Sequence, residues 1–379
     1  MSRMPRRGVP LALTCWWEYR LDRWLLPALV AMTRRRPPRC RPVHLLFLIA
    51  DHFEPYHDGA TRAQANARLR AWLTLYPRLA DRHRDADGRP PRHTFFYPID
   101  QLDPGHLSDL VALCRAGYGE VEVHLHHRDD TEESLTTRLR RGIERYHAFG
   151  ALGSWPGGQP AYGFVHGDWA LDNSIHESGQ NRCGVNSELL VLARTGCYAD
   201  FTFPALGASS QPRTLNRIYY ARDDPKRPRS YDRGIPAAVG RPPAGDLLLV
   251  EGPLGIAWRT DRGLARPYCE DGDVTATKGW RPERVDFWVR ADIHVVGRPE
   301  WVFVKVHTHG AADANCLPLL RRELDLLFTD LETRYNDGEH FRLHYVTARE
   351  AYNLVRAAEA GLTGDPVPYR DFVVAPPAS

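Results

Sequence analysis

The sequence predicts an α/β fold: a (β/α)7-8 barrel, distorted in places, with a long insertion and an N-terminal helical extension. Three observations carry that expectation. Short apolar runs alternate with longer stretches of helical period, the pattern of parallel strands joined by helices. Eight such runs fall within about 300 residues, which suits a closed or nearly closed sheet better than an open one. The 379 residues allow one large barrel or two ordinary domains, each able to bury a core. With 43% hydrophobic and 26% charged residues, the chain is neither disordered nor a many-pass membrane protein. A formal net charge of +3 is too small and too mixed for a nucleic-acid coat, so no nucleic-acid partner is expected.

Residues 1–42 read as an amphipathic extension and residues 43–379 as the barrel domain, with its insertion at about 204–299. In the extension, Trp16, Trp17, Trp24, Leu25, Leu26 and Leu29 are interrupted by Glu18, Arg20, Asp22 and Arg23 and followed by Arg34, Arg35 and Arg36. This composition fits either a helix docked on the domain or one lying at a lipid surface, so residues 1–40 are a candidate for peripheral membrane contact. Pro37, Pro38 and Pro42 prevent the helix from continuing. Arg3, Arg6 and Arg7 precede an uncharged run, but tryptophans and Glu18 stand where a small-residue cleavage site belongs. The expected location is therefore cytoplasmic, with association at the inner membrane surface open.

The expected strands are 45–50, 94–98, 121–126, 162–166, 198–203, 247–251, 302–307 and 343–346. Helices fall between several of them: Thr61 to Arg82 carries a stripe through Leu69, Trp72 and Tyr76, and Glu132 to Phe149 one through Leu135, Leu139 and Ile143. Thr347 and Glu350 form a capping box for a last helix that stops at Gly361. The insertion is rich in Pro and Arg; within it, Val285, Phe287, Val289, Ala291, Ile293 and Val295 alternate with polar neighbours and predict an added strand, with which 247–251 could pair. The seven cysteines are scattered without a CxxC pair, so neither a disulfide framework nor a cysteine zinc site is expected.

Histidine is the informative residue. Seven of the 17 stand where apolar runs end: His52 after the first, His124, His126 and His127 in the third, His166 in the fourth, His307 and His309 in the seventh. In a β/α barrel the reactive groups lie at the C-terminal ends of strands. Neutral imidazoles with a carboxylate make an N/O site suited to Zn²⁺ or a similar divalent ion. Alternation puts His124 and His126 on one face of their strand and His127 on the other, so the first two are the natural inward pair unless the strand ends early and His127 swings in.

The segments ADH at 50–52, EVEVHLHH at 120–127 and VKVHTHG at 304–310 resemble divergent forms of the motifs of metal-dependent polysaccharide deacetylases (NodB-like), in a glycoside hydrolase/deacetylase β/α-barrel superfamily. The resemblance implies Asp51 as general base, and places His52 where the family has a second aspartate that binds metal. The family's second metal histidine lies four residues after the first, and His124 plus four is Arg128, so His126 or His127 must serve instead. The general acid of the last motif maps to His307 or His309, of which His309 lies nearer the mouth. The implied activity is metal-dependent hydrolysis that removes acetyl from an N-acetylated sugar or glycan intermediate.

Further polar residues attach to this expectation. His166, Trp169, Asp172 and Asn173 follow the fourth strand and are candidate substrate contacts, as are His307 and Asp200, the latter also able to orient a histidine. Gln211 and Asn216 are weaker candidates. Two other readings compete: a glycoside hydrolase using two of Glu54, Glu122, Asp168 and Asp200, and a non-catalytic glycan-binding or assembly protein.

Overall fold

The computed structural model describes residues 16–34, 41–177, 180–261 and 263–378. Arg3, Arg6, Arg7, Arg35, Arg36, Pro37, Pro38, Cys15 and Cys40 of the N-terminal reading lie outside the described residues.

The elements that build the fold are α1 (Leu21–Arg34), β1 (Val43–His52), α2 (Arg62–Ala80), β2 (His93–Pro98), α3 (Pro104–Leu113), β3 (Gly119–Leu125), α4 (Glu132–Ala148), β4 (Pro160–His166), α5 (Glu188–Arg194), β5 (Cys197–Asp200), β6 (Ile218–Ala221), β7 (Leu247–Val250), β8 (Gly255–Asp261), β9 (Leu264–Glu270), α6 (Pro282–Arg290), β10 (Trp301–Thr308), α7 (Asp313–Pro318), α8 (Leu324–Arg334), β11 (Phe341–Tyr345) and α9 (Ala348–Glu359). All eight expected strands form. The main sheet is mostly parallel and runs β6, β7, β5, β4, β3, β2, β1, β10, with β11 also on β1. Parallel pairing buries both faces, which is why these strands read as apolar runs.

β1 is shared among three neighbours. Residues 43–47 pair with β11, 50–52 with β2, and 44–51 with β10. Its side chains alternate between two cores: Leu45, Phe47, Ile49 and Phe53 pack with Trp72, Tyr76 and the residues of α4 and α8, while Leu46, Leu48 and Ala50 pack with Val165, Phe303 and the α9 residues Leu354 and Val355. Fully burying one such Leu or Phe stabilises by roughly 1.5 to 3 kcal/mol. The same alternation sends Asp51 to the first side and His52 to the second, as the site requires. Capping boxes at Thr61, Thr131 and Thr347 start α2, α4 and α9.

Within the insertion, residues 247–250 join the main sheet, parallel to β5 and antiparallel to β6, and not the added strand expected in the insertion. Two places depart from expectation. The alternating stretch from Val285 is helical over 282–290: Pro282 takes the first helical position, Arg284 is buried against Glu270, and Val285 and Trp288 face inward together. A hairpin, β8–β9, stands where irregular chain was expected. Its outer residues are exposed, so no apolar period marked it.

α1 is docked through Trp24 and Ala28, which pack with Leu215 and Leu254, and through Arg23, which binds the carbonyl of Gln211 and the carboxylate of Asp232. Leu26 and Leu29 remain exposed on it, as does Trp17 just before it. No helix among the described residues is long and apolar enough to cross a membrane.

Candidate metal centre and active site

The histidines at the strand ends divide into two groups. The first is built around Glu54, just beyond β1, whose carboxylate is buried. Its Oε1 lies 2.9 Å from His126 Nε2 and 3.5 Å from His124 Nε2; its Oε2 lies 3.4 Å from His57 Nδ1 and 4.0 Å from His309 Nε2. Glu54, His124 and His126 are spaced so that one ion could touch all three. His52 stands beside them, its ring centroid 4.7 Å from that of His309 and 5.2 Å from that of His124.

The outer atoms fix which nitrogens face inward. His124 donates its Nδ1–H to the carbonyl of Val165 at 2.8 Å, so the lone pair sits on Nε2, which makes no hydrogen bond although buried. His52 Nε2 is likewise buried without a partner. His126 Nδ1 lies 3.3 Å from Asp100 Oδ2, and Asp100 also accepts the backbone N–H of His126. An unpartnered imidazole nitrogen beside a carboxylate, with its far nitrogen tied to a carbonyl as in His124, is a donor a divalent ion takes.

The electrostatics agree. Burial alone would raise the pKa of Glu54, but the surrounding rings of His124, His126 and His57 hold it far below the carboxylate range. Burial opposes charge on His126, yet Asp100 and Glu54 outweigh it and raise that ring to about 10. Burial, then the neighbouring rings of His309 and His124, pushes His52 well down.

The group opens on two clefts. One of about 730 Å³ runs past His57, Arg68, Asn315 and His309; the other, of about 520 Å³, past Asp168, Asp273, Lys278 and His307. Trp169 and His309 border both. A groove of about 790 Å³ along α4 is larger but is lined by none of these histidines. Trp169, half-buried at a positive φ, presents its ring 5.8 Å from His309 and 6.1 Å from His52.

Asp51, expected as base, sits elsewhere. Its Oδ2 lies 2.8 Å from His93 Nε2 and its Oδ1 accepts the Gly310 N–H at 2.7 Å, on the side of β1 that packs against Trp72. Trp72 in turn donates to the Gly310 carbonyl. Only glycine fits there, since a Cβ would lie 2.2 Å from Asp51 Oδ2. Asp51 thus holds the turn that carries His309, with one contact on each of its oxygens.

His127 also turns away from Glu54. It lies with His166, Cys183 and Glu188 in the second group, wholly buried. His166, Asp172, Asn173 and Asp200, expected at the substrate, are buried and line neither cleft. Asp172 receives the backbone N–H of Ser230, Asn173 that of Gly184, and Asp200 both the N–H and the hydroxyl of Thr202. His307 borders the second cleft, 4.0 Å from Asp273, and burial lowers it to about 3. Gln211 and Asn216 close turns through the Ala205 N–H and the Leu254 backbone. Of the carboxylates considered for glycoside cleavage, Glu122 is buried against Tyr198 and Gly163, and Asp168 pairs with Arg128 and Arg182. Glu54 in this site, Asp100, His57 and Asp273 were missed; the signal for Glu54 was its spacing of two from His52 in DHFEP.

No family model and no curated protein matches the chain. Among solved structures, it is similar to one assigned as a polysaccharide deacetylase from Mycobacterium smegmatis, at TM-score 0.43 and 14% identity over 87% of this chain and 95% of that one. It is also similar to one assigned as a glycoside hydrolase/deacetylase from Parabacteroides distasonis, at TM-score 0.41 and 13% identity over 80% of this chain and 68% of that one. At such values the functional reading rests on this chain's own side chains.

Proposed function

We propose that the protein is a metal-dependent hydrolase that removes acetyl from the nitrogen of an N-acetylated sugar or glycan intermediate. The observation that carries this reading is the convergence of Glu54, His124 and His126, with His52 alongside, at the C-terminal ends of parallel strands and next to His309, which borders two clefts. Glu54, His124 and His126 would hold the ion, and His52 is placed to join them. Zinc suits the donors. Such an ion, when bound, polarises an acyl oxygen and makes water acidic enough to attack it at neutral pH.

The chain's own groups do the rest. His309, at the junction of the clefts, takes a proton on Nε2 from the attacking water and returns it to the departing amine. The products are acetate and a free amino sugar. Asp51 acts through Gly310 by fixing the turn that aims His309. Trp169 offers a half-buried ring on which a sugar face can stack. The sheet is read as a distorted barrel, because Lys305 of β10 reaches the carbonyls of Phe201 and Phe203, which follow β5. The exposed Leu26 and Leu29 of α1, with Trp17 before it, support contact with a lipid surface, as does the hairpin on which α1 packs, which itself exposes Trp258 and Leu264.

The deciding experiment measures bound metal and acetate release from N-acetylated sugars by the full chain and by His124→Ala. The expected result is metal-dependent acetate release that His124→Ala abolishes. No release from any N-acetylated sugar by metal-loaded protein would leave a binding protein; unchanged metal in His124→Ala would remove the site. Liposome flotation with and without residues 1–40 tests the lipid contact, and equal flotation would sink it.

A further inference from the structure

The second histidine group lies against the main sheet and borders neither cleft. His127 follows β3, His166 ends β4, Glu188 begins α5, and Cys183 lies on the loop between β4 and α5. All four are buried, and one atom of each lies within 4.8 Å of the others. Glu188 is central. Its Oε1 is 2.9 Å from His127 Nε2 and 3.4 Å from His166 Nε2, and its Oε2 is 3.3 Å from Cys183 Sγ.

Each imidazole is oriented from behind. His166 donates its Nδ1–H to the carbonyl of Gly167 at 2.5 Å, which leaves Nε2 as the lone-pair nitrogen. That atom is buried and has no hydrogen-bond partner. His127 Nδ1 lies 3.2 Å from Asp130 Oδ2, and Asp130 is reached by Arg138 at 3.4 Å. A carboxylate or a carbonyl behind the far nitrogen of a histidine is the arrangement that fixes metal ligands. An ordinary ion pair between His127 and Glu188 would leave His166 Nε2 unsatisfied in a closed space, which costs stability.

The loop is shaped to bring the sulfur in. Asp130 donates its N–H to the Cys183 carbonyl, and the next residue, Gly184, has φ +100° with its α-carbon pressed against the Asp130 backbone. A Cβ at 184 would lie 2.4 Å from the Asp130 carbonyl oxygen, so only glycine allows the approach. Glu188 also accepts the Asp172 N–H, which ties the other end of the loop to the same point.

We propose that His127, His166, Cys183 and Glu188 form a closed structural zinc site, separate from the Glu54 group. Two neutral imidazoles, one thiolate and one carboxylate saturate a tetrahedral ion and balance its double charge, so no open position remains for water. The ion would clamp the loop that carries Trp169 onto the ends of β3 and β4. On binding, the Cys183 thiol and the His127 ring, which is held as a cation between Asp130 and Glu188, each give up one proton to solvent.

X-ray absorption at the zinc edge, on the full chain loaded with zinc and then freed of excess ion, tests the site directly. The Glu54 group contains no sulfur, so a sulfur neighbour at about 2.3 Å can come only from a site of this kind. The expected result is that shell in the wild type and in His124→Ala, and its loss, with one zinc equivalent, in Cys183→Ser. A wild-type spectrum with nitrogen and oxygen alone would overturn the proposal while leaving the Glu54 site standing. The wild-type measurement decides even if Cys183→Ser fails to fold.

Discussion

His126 and His127 are neighbours in sequence and belong to different chemistry. His126 points to Glu54, whose neighbours His57 and His309 border open clefts; His127 points to Glu188, where every donor is buried. One turn of strand alternation separates a site that can admit a substrate from one that cannot. The difference teaches that donor identity alone says little about role: each group offers two histidines and a glutamate backed by an aspartate, Asp100 in one and Asp130 in the other. Access decides. An open side leaves room for a reacting molecule, and a closed one leaves only stability.

The largest effects should come from removing a donor outright. His124→Ala and Glu54→Gln should each lose the metal of the open site and essentially all acetate release, with little change in melting temperature. Cys183→Ser should do the reverse, lowering the melting temperature and making it insensitive to chelator. If His124→Ala melts as Cys183→Ser does, the division between the groups is wrong. Next, His309→Gln should keep its metal and lose roughly 100-fold to 10,000-fold in turnover, the range of a general acid or base. Stoichiometric metal with unchanged turnover would take His309 out of the reaction. Smaller again, Asp100→Asn and Asp130→Asn should each weaken zinc by roughly 10-fold to 100-fold at their own site only, because each orients one histidine. Competition titrations with a chelator of known affinity separate the two.

Much of this was legible in the sequence, and the exceptions have physical causes. The eight strands stood out because residues buried on both faces of a parallel sheet must be apolar. The histidines stood out because they end those runs, and alternation already set His124 and His126 apart from His127. Asp51 was legible as a polar strand end but not as a residue bound to His93 and Gly310, since both partners come from distant chain. Cys183 and Glu188 gave no spacing signal, because a loop docked on Asp130, not local sequence, brings them to His127. The segment from Val285 alternates like a strand, yet Arg284 on Glu270 and the inward Val285 and Trp288 make it a helix. Tertiary pairing overrode the period there.

A third charged region serves as a control for both metal groups. Glu350, in the first turn of α9, is buried between Arg92 and Arg370 and also completes the Thr347 capping box. Burial would raise its pKa, but Arg92, Arg370 and Arg349 outweigh it and hold it below the ordinary value of 4.5. A carboxyl lowered on folding adds stability that is present above that value and is lost as pH falls through the folded one. Glu350→Gln should therefore cost roughly 1 to 3 kcal/mol near neutral pH, the penalty of leaving buried donors short of an acceptor, and should flatten the loss of stability below pH 4.5. Urea unfolding across pH, with and without chelator, checks both. Because no metal donor touches Glu350, chelator should shift wild type and variant equally; a chelator effect that vanished in Glu350→Gln would mean that the base of the sheet and the two histidine groups unfold through one coupled network.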